Sequence, residues 1–323
     1  MADVLFIKTS SLGDVIHHMP AVTEAKARRP GDRFVWAVEP AFARLVRLHP
    51  GVDEVIPVGL RRWRGTVLLQ PAVWAEIAAL RRTLGARRYD AIVDTQGLIK
   101  SALVARAAQG VRHGYDAQSI REPLAARVYD VRHRVERDRH AVERNRLLTA
   151  LALGYQPHGA PDYGLPHGRP AATGEPAYAV FLHGTAQVRK QWPLANWQAL
   201  AAELSGRYAP VLPWGDVQER ERAERIAQGV ANARVPDLRP LDEVAGLIAG
   251  ASLVVGVDTG LLHLAAALGV PLVAIFTGSE PALTGPVGPG PIEVLGHRDA
   301  PPDVPAVLTA IGRVTGGRTA ARD

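Results

Sequence analysis

The chain has no cysteine, which excludes disulfides and thiolate metal sites and fits a reducing compartment. It has no G-x-G-x-x-G and no G-x-x-x-x-G-K-[ST], so neither the dinucleotide fingerprint nor a P-loop is present. A clean apolar run of the roughly 20 residues that a membrane span requires is also missing. The best candidate, residues 252–278, is broken by Asp258 and His263 and then by Gly269 and Pro271. Asp-Thr-Gly occurs once, at 258–260, whereas an aspartic protease needs two carboxylates sharing a proton. The near match Asp94-Thr95-Gln96-Gly97 has the wrong spacing, and Asp258 leads into a helix, so that reading fails too.

What is present suits a globular α/β protein. At 323 residues and 47% hydrophobic content, two domains can each bury a core. The start, MADVLFIKTS, has no basic leader and only a four-residue apolar run, so it reads as a first strand and not a signal peptide, which predicts a cytoplasmic protein. Charge is uneven: residues 1–170 carry 26 Lys+Arg against 17 Asp+Glu, and residues 171–323 carry 12 against 15. A half at +9 beside a half at −3 implies an acidic partner for the first: a phosphorylated substrate, an anionic membrane surface or a nucleic acid.

Residues 252–278 read SLVVGV, then Asp258-Thr259-Gly260, then LLHLAAALGV and PLVAIFTG. The pattern is strand, tight turn, helix, strand. The first run is β-branched and apolar, as a strand buried on both faces should be, and Gly269-Val270-Pro271 ends the helix. The turn sets an Asp, a hydroxyl and a glycine at a helix N-terminus, where unpaired N–H groups and the helix dipole favour a phosphate.

The same logic applies at the amino terminus. Residues 4–7 predict a buried strand running into Lys8-Thr9-Ser10-Ser11-Leu12-Gly13-Asp14 before a helix over 15–27. Gly13 would let this loop turn tightly, and Asp14 would stand at the helix start on the crevice edge of a parallel sheet, as a cap or as a functional carboxylate. Strands over 34–39, 54–58 and 91–94, alternating with helical stretches such as 73–84, predict a parallel α/β sheet. Arg61-Arg62-Trp63-Arg64, followed by the apolar run 66–69, reads as an interaction loop able to clamp phosphate or carboxylate. Asp94-Thr95-Gln96-Gly97 ends a strand at the same edge, with Lys100 opening the next helix. The charged run 132–146 predicts a helix whose wet face carries i,i+4 pairs, with Arg144 pointing toward the site.

A Gly/Pro/His-rich stretch then separates a second α/β domain. There a strand delivers Gly184-Thr185, and Lys190 follows on the same loop, a hydroxyl and a mobile cation suited to a diphosphate. Another strand ends at Trp214-Gly215, with Asp216 and Glu219 starting a helix where a carboxylate could accept from a ribose. Residues 241–249 predict an amphipathic helix, 292–295 a last strand, 304–311 a closing helix and 315–323 a frayed tail.

Taken in order, Lys8-Thr9-Ser10-Ser11-Leu12-Gly13-Asp14, Arg61-Arg62-Trp63-Arg64, Leu212-Pro213-Trp214-Gly215 and Val257-Asp258-Thr259-Gly260-Leu261-Leu262-His263 resemble the bacterial lipopolysaccharide heptosyltransferases I of glycosyltransferase family 9. The resemblance runs from about residue 3 to about residue 300. It implies a GT-B fold, two facing Rossmann-like domains with a central cleft: an acceptor-binding domain over 1–165, a linker over 166–176 and a donor-binding domain over 177–323, with the last helix packing back on the first domain. It implies inverting transfer of L-glycero-D-manno-heptose from ADP-heptose to the first Kdo of Kdo₂-lipid A, at the inner face of the cytoplasmic membrane. No metal, no other cofactor and no nucleic-acid partner are expected, and an anionic membrane surface is.

By the same resemblance Asp14 is the general base. Lys190 and Thr185, with Asp258, Thr259 and Gly260, hold the diphosphate and stabilise departing ADP, and His263, one helical turn beyond Thr259, either donates to a phosphate or is a packed core histidine. Thr9, Ser10 and Gly13 join the donor site, Glu219 holds the ribose, and Arg61, Arg62, Arg64, Arg121 and Arg144 meet the acceptor's carboxylates and phosphates. Two positions depart from the family: Ala186 stands where a second Thr is common and Gly65 where a Lys is, each removing one anion contact. A heptosyltransferase acting on an already heptosylated acceptor is the nearest rival. A nucleotide-dependent oxidoreductase is disfavoured by the missing glycine fingerprint, and a non-catalytic nucleotide- or nucleic-acid-binding module would be indifferent to loss of Asp14.

Overall fold

The computed structural model describes residues 1–63, 65, 69–166, 176–185 and 187–316. The chain divides into two units, Met1–Gly164 and Leu165–Asp323. Arg64, Ala186 and all but the ends of the expected linker fall outside the described residues, as does most of the expected tail.

In the first unit the order is β1 (Asp3–Ile7), α1 (Leu12–Arg28), β2 (Arg33–Val38), α2 (Pro40–Val46), β3 (Glu54–Pro57), α3 (Pro71–Gly85), β4 (Arg88–Asp94), α4 (Ile99–Ala107), β5 (Gln109–Tyr115), a 3-10 turn (Pro123–Val128), β6 (Val131–His133) and α5 (Ala141–Leu153). The six strands pair in parallel in the order β3-β2-β1-β4-β5-β6. The continuous apolar runs have their cause here. Val4, Leu5, Phe6 and Ile7 are all at most 1% exposed because helices cover both faces of the sheet. The chain builds outward from β1 to β3 and then returns to lay β4 against the other side of β1. Loops leaving β1 and β4 therefore diverge at the point where an open sheet leaves a crevice for ligands.

The second unit runs β7 (Tyr178–Leu182), a 3-10 turn (Val188–Lys190), α6 (Leu194–Leu204), β8 (Ala209–Val211), α7 (Val217–Ala227), α8 (Leu241–Ala249), β9 (Leu253–Val257), α9 (Gly260–Ala267), β10 (Leu272–Ile275), β11 (Ile292–Leu295) and α10 (Val304–Val314). Its sheet is parallel, in the order β11-β10-β9-β7-β8, so the reversal lies between β7 and β9. Trp192 and Trp197 are fully buried and meet edge to face at 5.2 Å, anchoring α6 over the sheet.

Two local expectations are corrected. The run 132–146 is not one helix: it holds β6, then turns, then α5, which begins only after His140. The His140 imidazole caps that helix by accepting from the Val142 N–H at 3.2 Å, and Arg139 pairs with Glu136 and with Glu143 across the boundary. Gly13 lies inside α1 and is buried there, so it does not make the turn. The closing helix buries Val307, Ala310, Ile311 and Val314 in the second unit's own core, against β10, β11 and α6.

Candidate active site

In the first unit the loop after β1 is held by the loop after β4. The Gln96 side chain acts as a surrogate strand: its Oε1 accepts from the N–H groups of Thr9 at 2.8 Å and Ser10 at 3.2 Å, and its Nε2 donates to the Ser10 carbonyl. Thr9 is fully buried and Ser10 nearly so, with the Thr9 hydroxyl on the same Gln96 oxygen at 3.4 Å. Their place is in the loop's framework. Asp94 in turn fixes the start of the second loop, accepting from the N–H groups of Gln96 at 2.9 Å and Gly97 at 3.2 Å and from the Tyr129 hydroxyl at 2.8 Å. Burial pushes the Asp94 carboxyl above the usual carboxylate range, against the pull of those donors.

Asp14 sits in the first turn of α1. Its Oδ2 accepts from both the N–H and the hydroxyl of Ser11, at 2.8 and 2.9 Å, closing a capping box. The capping reading and the functional one thus describe the same carboxylate, with both capping bonds on one oxygen. Lys8 is 6% exposed beneath this loop, donating to the Thr95 carbonyl at 2.9 Å and to Asn145 Oδ1 at 3.4 Å. Burial lowers its pKa, the charges of Asp14 and Asp94 oppose that, and Arg144 and Arg121 reinforce it. Asp14, Asp94, Lys8, Arg121 and Arg144 therefore share one electrostatic neighbourhood.

Arg144 lies 4.7 Å over the Tyr115 ring and donates to the Ser119 carbonyl at 2.6 Å. Its Nε is buried without a partner among the described residues. The arginines at 61–62 are placed differently. The Arg61 N–H is fixed by Glu39 Oε1 at 2.8 Å and its guanidinium lies 5.2 Å over Phe42. Arg62 is paired with Glu76 of α3, the carboxylate that also accepts from the Trp63 indole at 3.0 Å.

In the second unit three loops converge. After β7, Thr185 donates through its hydroxyl to the Asp258 carbonyl at 3.2 Å, and Lys190 pairs with the Asp258 carboxylate at 2.6 Å. After β10, Ser279 donates to the same carboxylate oxygen at 2.5 Å, while Thr277 bonds the Arg189 carbonyl at 2.8 Å. Asp258 thus enters the site as the anchor of Lys190. Thr259 is the N-cap of α9 but its side chain makes no capping bond, so the helix's N–H groups are not capped by it, and Gly260 is the first helical residue. His263, in the first turn of α9, is 7% exposed.

Glu219 closes the other side. Its N–H is capped by Asp216 at 2.8 Å, and its Oε2 accepts from Gly215 N at 2.7 Å. A Cβ at Gly184 would lie 2.2 Å from Glu219 Oε1, so glycine is required for the carboxylate to lie against the Gly184-Thr185 loop. Burial raises the Glu219 pKa, the Gly215 bond lowers it, and Asp216 adds to the rise.

Lys8, Gln96 and Ser279 have structural parts in these loops that motif reading did not assign. Gln96 was visible only as part of a strand-end motif, and Lys8 as the first residue of another.

The family model for glycosyltransferase family 9 (heptosyltransferase) matches residues 77–307. The chain is 45% identical over 292 residues to lipopolysaccharide heptosyltransferase 1 of Escherichia coli (strain K12), an alignment covering 88% of this chain and 91% of the relative. It superposes on the E. coli heptosyltransferase WaaC with ADP at a TM-score of 0.89 and 41% identity, covering 96% of this chain and 99% of the other. On the same enzyme with ADP-2-deoxy-2-fluoro heptose the TM-score is 0.87 and the identity 40%, with the same coverage.

Proposed function

Because the chain belongs to glycosyltransferase family 9, the heptosyltransferases, we propose that it moves L-glycero-D-manno-heptose from ADP-heptose to the first Kdo of Kdo₂-lipid A, with inversion. The chain is a glycosyltransferase of the GT-B fold that acts in building the lipopolysaccharide core. The observation that carries the donor half of this reading is the convergence on the second sheet's reversal point. A lysine, a threonine hydroxyl and the N-terminus of α9 meet there, and these are the donors a nucleotide diphosphate needs.

In the reaction, Asp14 takes the proton from the attacking Kdo hydroxyl, whose oxygen forms the new bond to the anomeric carbon. The bond from that carbon to the ADP phosphate oxygen breaks on the opposite face, and its electrons leave with ADP. Lys190, Thr185 and the α9 N–H groups, with His263, stabilise the charge gathering on the diphosphate, where preorganised donors gain most. Glu219 accepts from the ribose. Arg61, Arg62, Arg64, Arg121 and Arg144 take the acceptor's carboxylates and phosphates, a role consistent with the basic excess of residues 1–170. No residue is assigned a metal.

Among the described residues no helix is long and apolar enough to cross a membrane. The protein works peripherally on the inner face of the cytoplasmic membrane, where its lipid acceptor is anchored.

The test is ADP release from ADP-heptose with and without delipidated Kdo₂-lipid A, with product masses recorded. Acceptor-dependent ADP together with a product heavier by one heptose is the expected result. ADP-heptose binding without turnover would move the acceptor to an already heptosylated core, and no binding would refute the reading.

A further inference from the structure

Helix α3 is poorly buried for its sequence. Of its fifteen residues only Val73 and Leu84 are buried, although Trp74, Ile77 and Leu80 also lie on it. Between α3 and α4 opens a groove of ≈ 560 Å³ with an apolar wall that includes Trp63, Ile77, Leu80 and Leu103. Arg81, Lys100 and Arg106 belong to the same lining, and among the described residues no carboxylate does. Beside it Trp74, Ile99 and Leu103 stay 59%, 44% and 58% exposed. Apolar side chains standing out of a surface beside cations mark an interaction site.

We infer that the α3–α4 face is the membrane-docking surface of the protein, with a hydrocarbon chain of an anionic bilayer lipid entering the groove and its phosphate lying on Arg81, Lys100 and Arg106. This rests on the peripheral membrane location argued above and names the surface responsible for it. The chemistry selects the partner. A neutral apolar molecule would leave three cations unanswered, and a nucleic acid would leave the apolar wall unfilled. A single chain bound as substrate would be enclosed, whereas the outstanding Trp74, Ile99 and Leu103 suit insertion among many lipids, with the cations drawn to an anionic leaflet. The groove also begins at Trp63, in the loop that carries Arg61 and Arg62. A bilayer held on this face would bring a membrane-anchored acceptor's anionic sugars to that loop.

The test uses the full chain and two kinds of acceptor-free vesicle, phosphatidylcholine alone and phosphatidylcholine with phosphatidylglycerol. The wild-type protein is expected to sediment with the second and not the first, less so as salt rises. Arg81→Gln combined with Arg106→Gln should weaken this binding by about fivefold per charge, and Leu103→Asp should abolish it. Since the chain has no cysteine, Leu103→Cys offers a single labelling site, and an environment-sensitive probe there should shift to the blue on the anionic vesicles. All these variants should turn over a delipidated acceptor in solution at the wild-type rate. Wild-type protein that stays in the supernatant, variants that sediment as the wild type does, or a probe that does not respond would overturn the inference. Loss of solution turnover in the wild type would instead count against the assigned reaction and leave sedimentation to judge the surface.

Discussion

Lys190 and Asp258 form a 2.6 Å ion pair across the strand-order reversal of the second sheet, with side chains 20% and 16% exposed. The carboxylate is itself held by Ser279, so the lysine is oriented before any ligand arrives. An ammonium has three donors and can keep its carboxylate while meeting a phosphate.

Lys190→Ala should therefore weaken ADP binding by about tenfold to a hundredfold, the range for a hydrogen bond to a charged group of ~1.5–3 kcal/mol. Calorimetric titration with ADP measures it. An unchanged affinity would remove Lys190 from the diphosphate site.

Gly184→Ala would drive a methyl group into the Glu219 carboxylate, 2.2 Å away. Donor affinity should fall, and the loss should largely vanish in a Glu219→Ala background, because the two changes act through one contact. Full additivity in that double-mutant cycle would show that Glu219 is not what Gly184 accommodates.

Gln96→Leu would leave the N–H groups of Thr9 and Ser10 without their acceptor, each at a cost of about 1–3 kcal/mol if water does not replace it. Urea unfolding should show the loss, and turnover should fall further than donor affinity because the loop leading to Asp14 loosens. Wild-type stability and turnover together would contradict the role given to Gln96.

His49 predicts an acid-side weakness. Its Nδ1 accepts from the Gly51 N–H at 3.0 Å, which assigns the proton to Nε2, facing the Thr23 hydroxyl at 2.9 Å. Burial holds its pKa down at about 4. A histidine depressed on folding takes up a proton on unfolding, so its contribution is complete above the unfolded value of about 6.5 and is lost as pH falls toward 4. The loss is of order 3 kcal/mol at ~1.4 kcal/mol per unit. His183, also lowered to about 4 by burial, adds the same trend in the second unit. Urea unfolding between pH 7 and pH 5 should show stability dropping with acid, less steeply in His49→Gln. A flat profile would contradict the burial argument.

How much of this was legible depended on distance along the chain. The β9–α9 unit is written locally, in a β-branched run, a polar turn and a Gly-Val-Pro stop, and it appears where the sequence places it. Helix α8 begins and ends at the expected residues. The run 132–146 misled because charge density says nothing about where a helix starts, and the His140 cap needed the folded turn to be recognised. Lys8 and Gln96 were illegible in their roles for another reason. Lys8 meets partners 87 and 137 residues away, and Gln96 closes on a loop about as distant, contacts created only when β4 returns to β1 and α5 packs against α1. Glu219 reads in the sequence as a helix-start acid able to hold a ribose, but its approach to Gly184 depends on two loops that no local pattern connects.

The central claim is that Asp14, besides capping α1, removes the acceptor's proton. Asp14→Asn separates the two roles, since an asparagine oxygen can still accept from Ser11 but cannot act as the base. Single-turnover rates and ADP-heptose affinity should be measured on this variant. The rate is expected to fall by about 10²–10⁴ with donor affinity within about twofold of wild type. A rate near that of the wild-type enzyme would leave Asp14 a helix cap and place the base elsewhere.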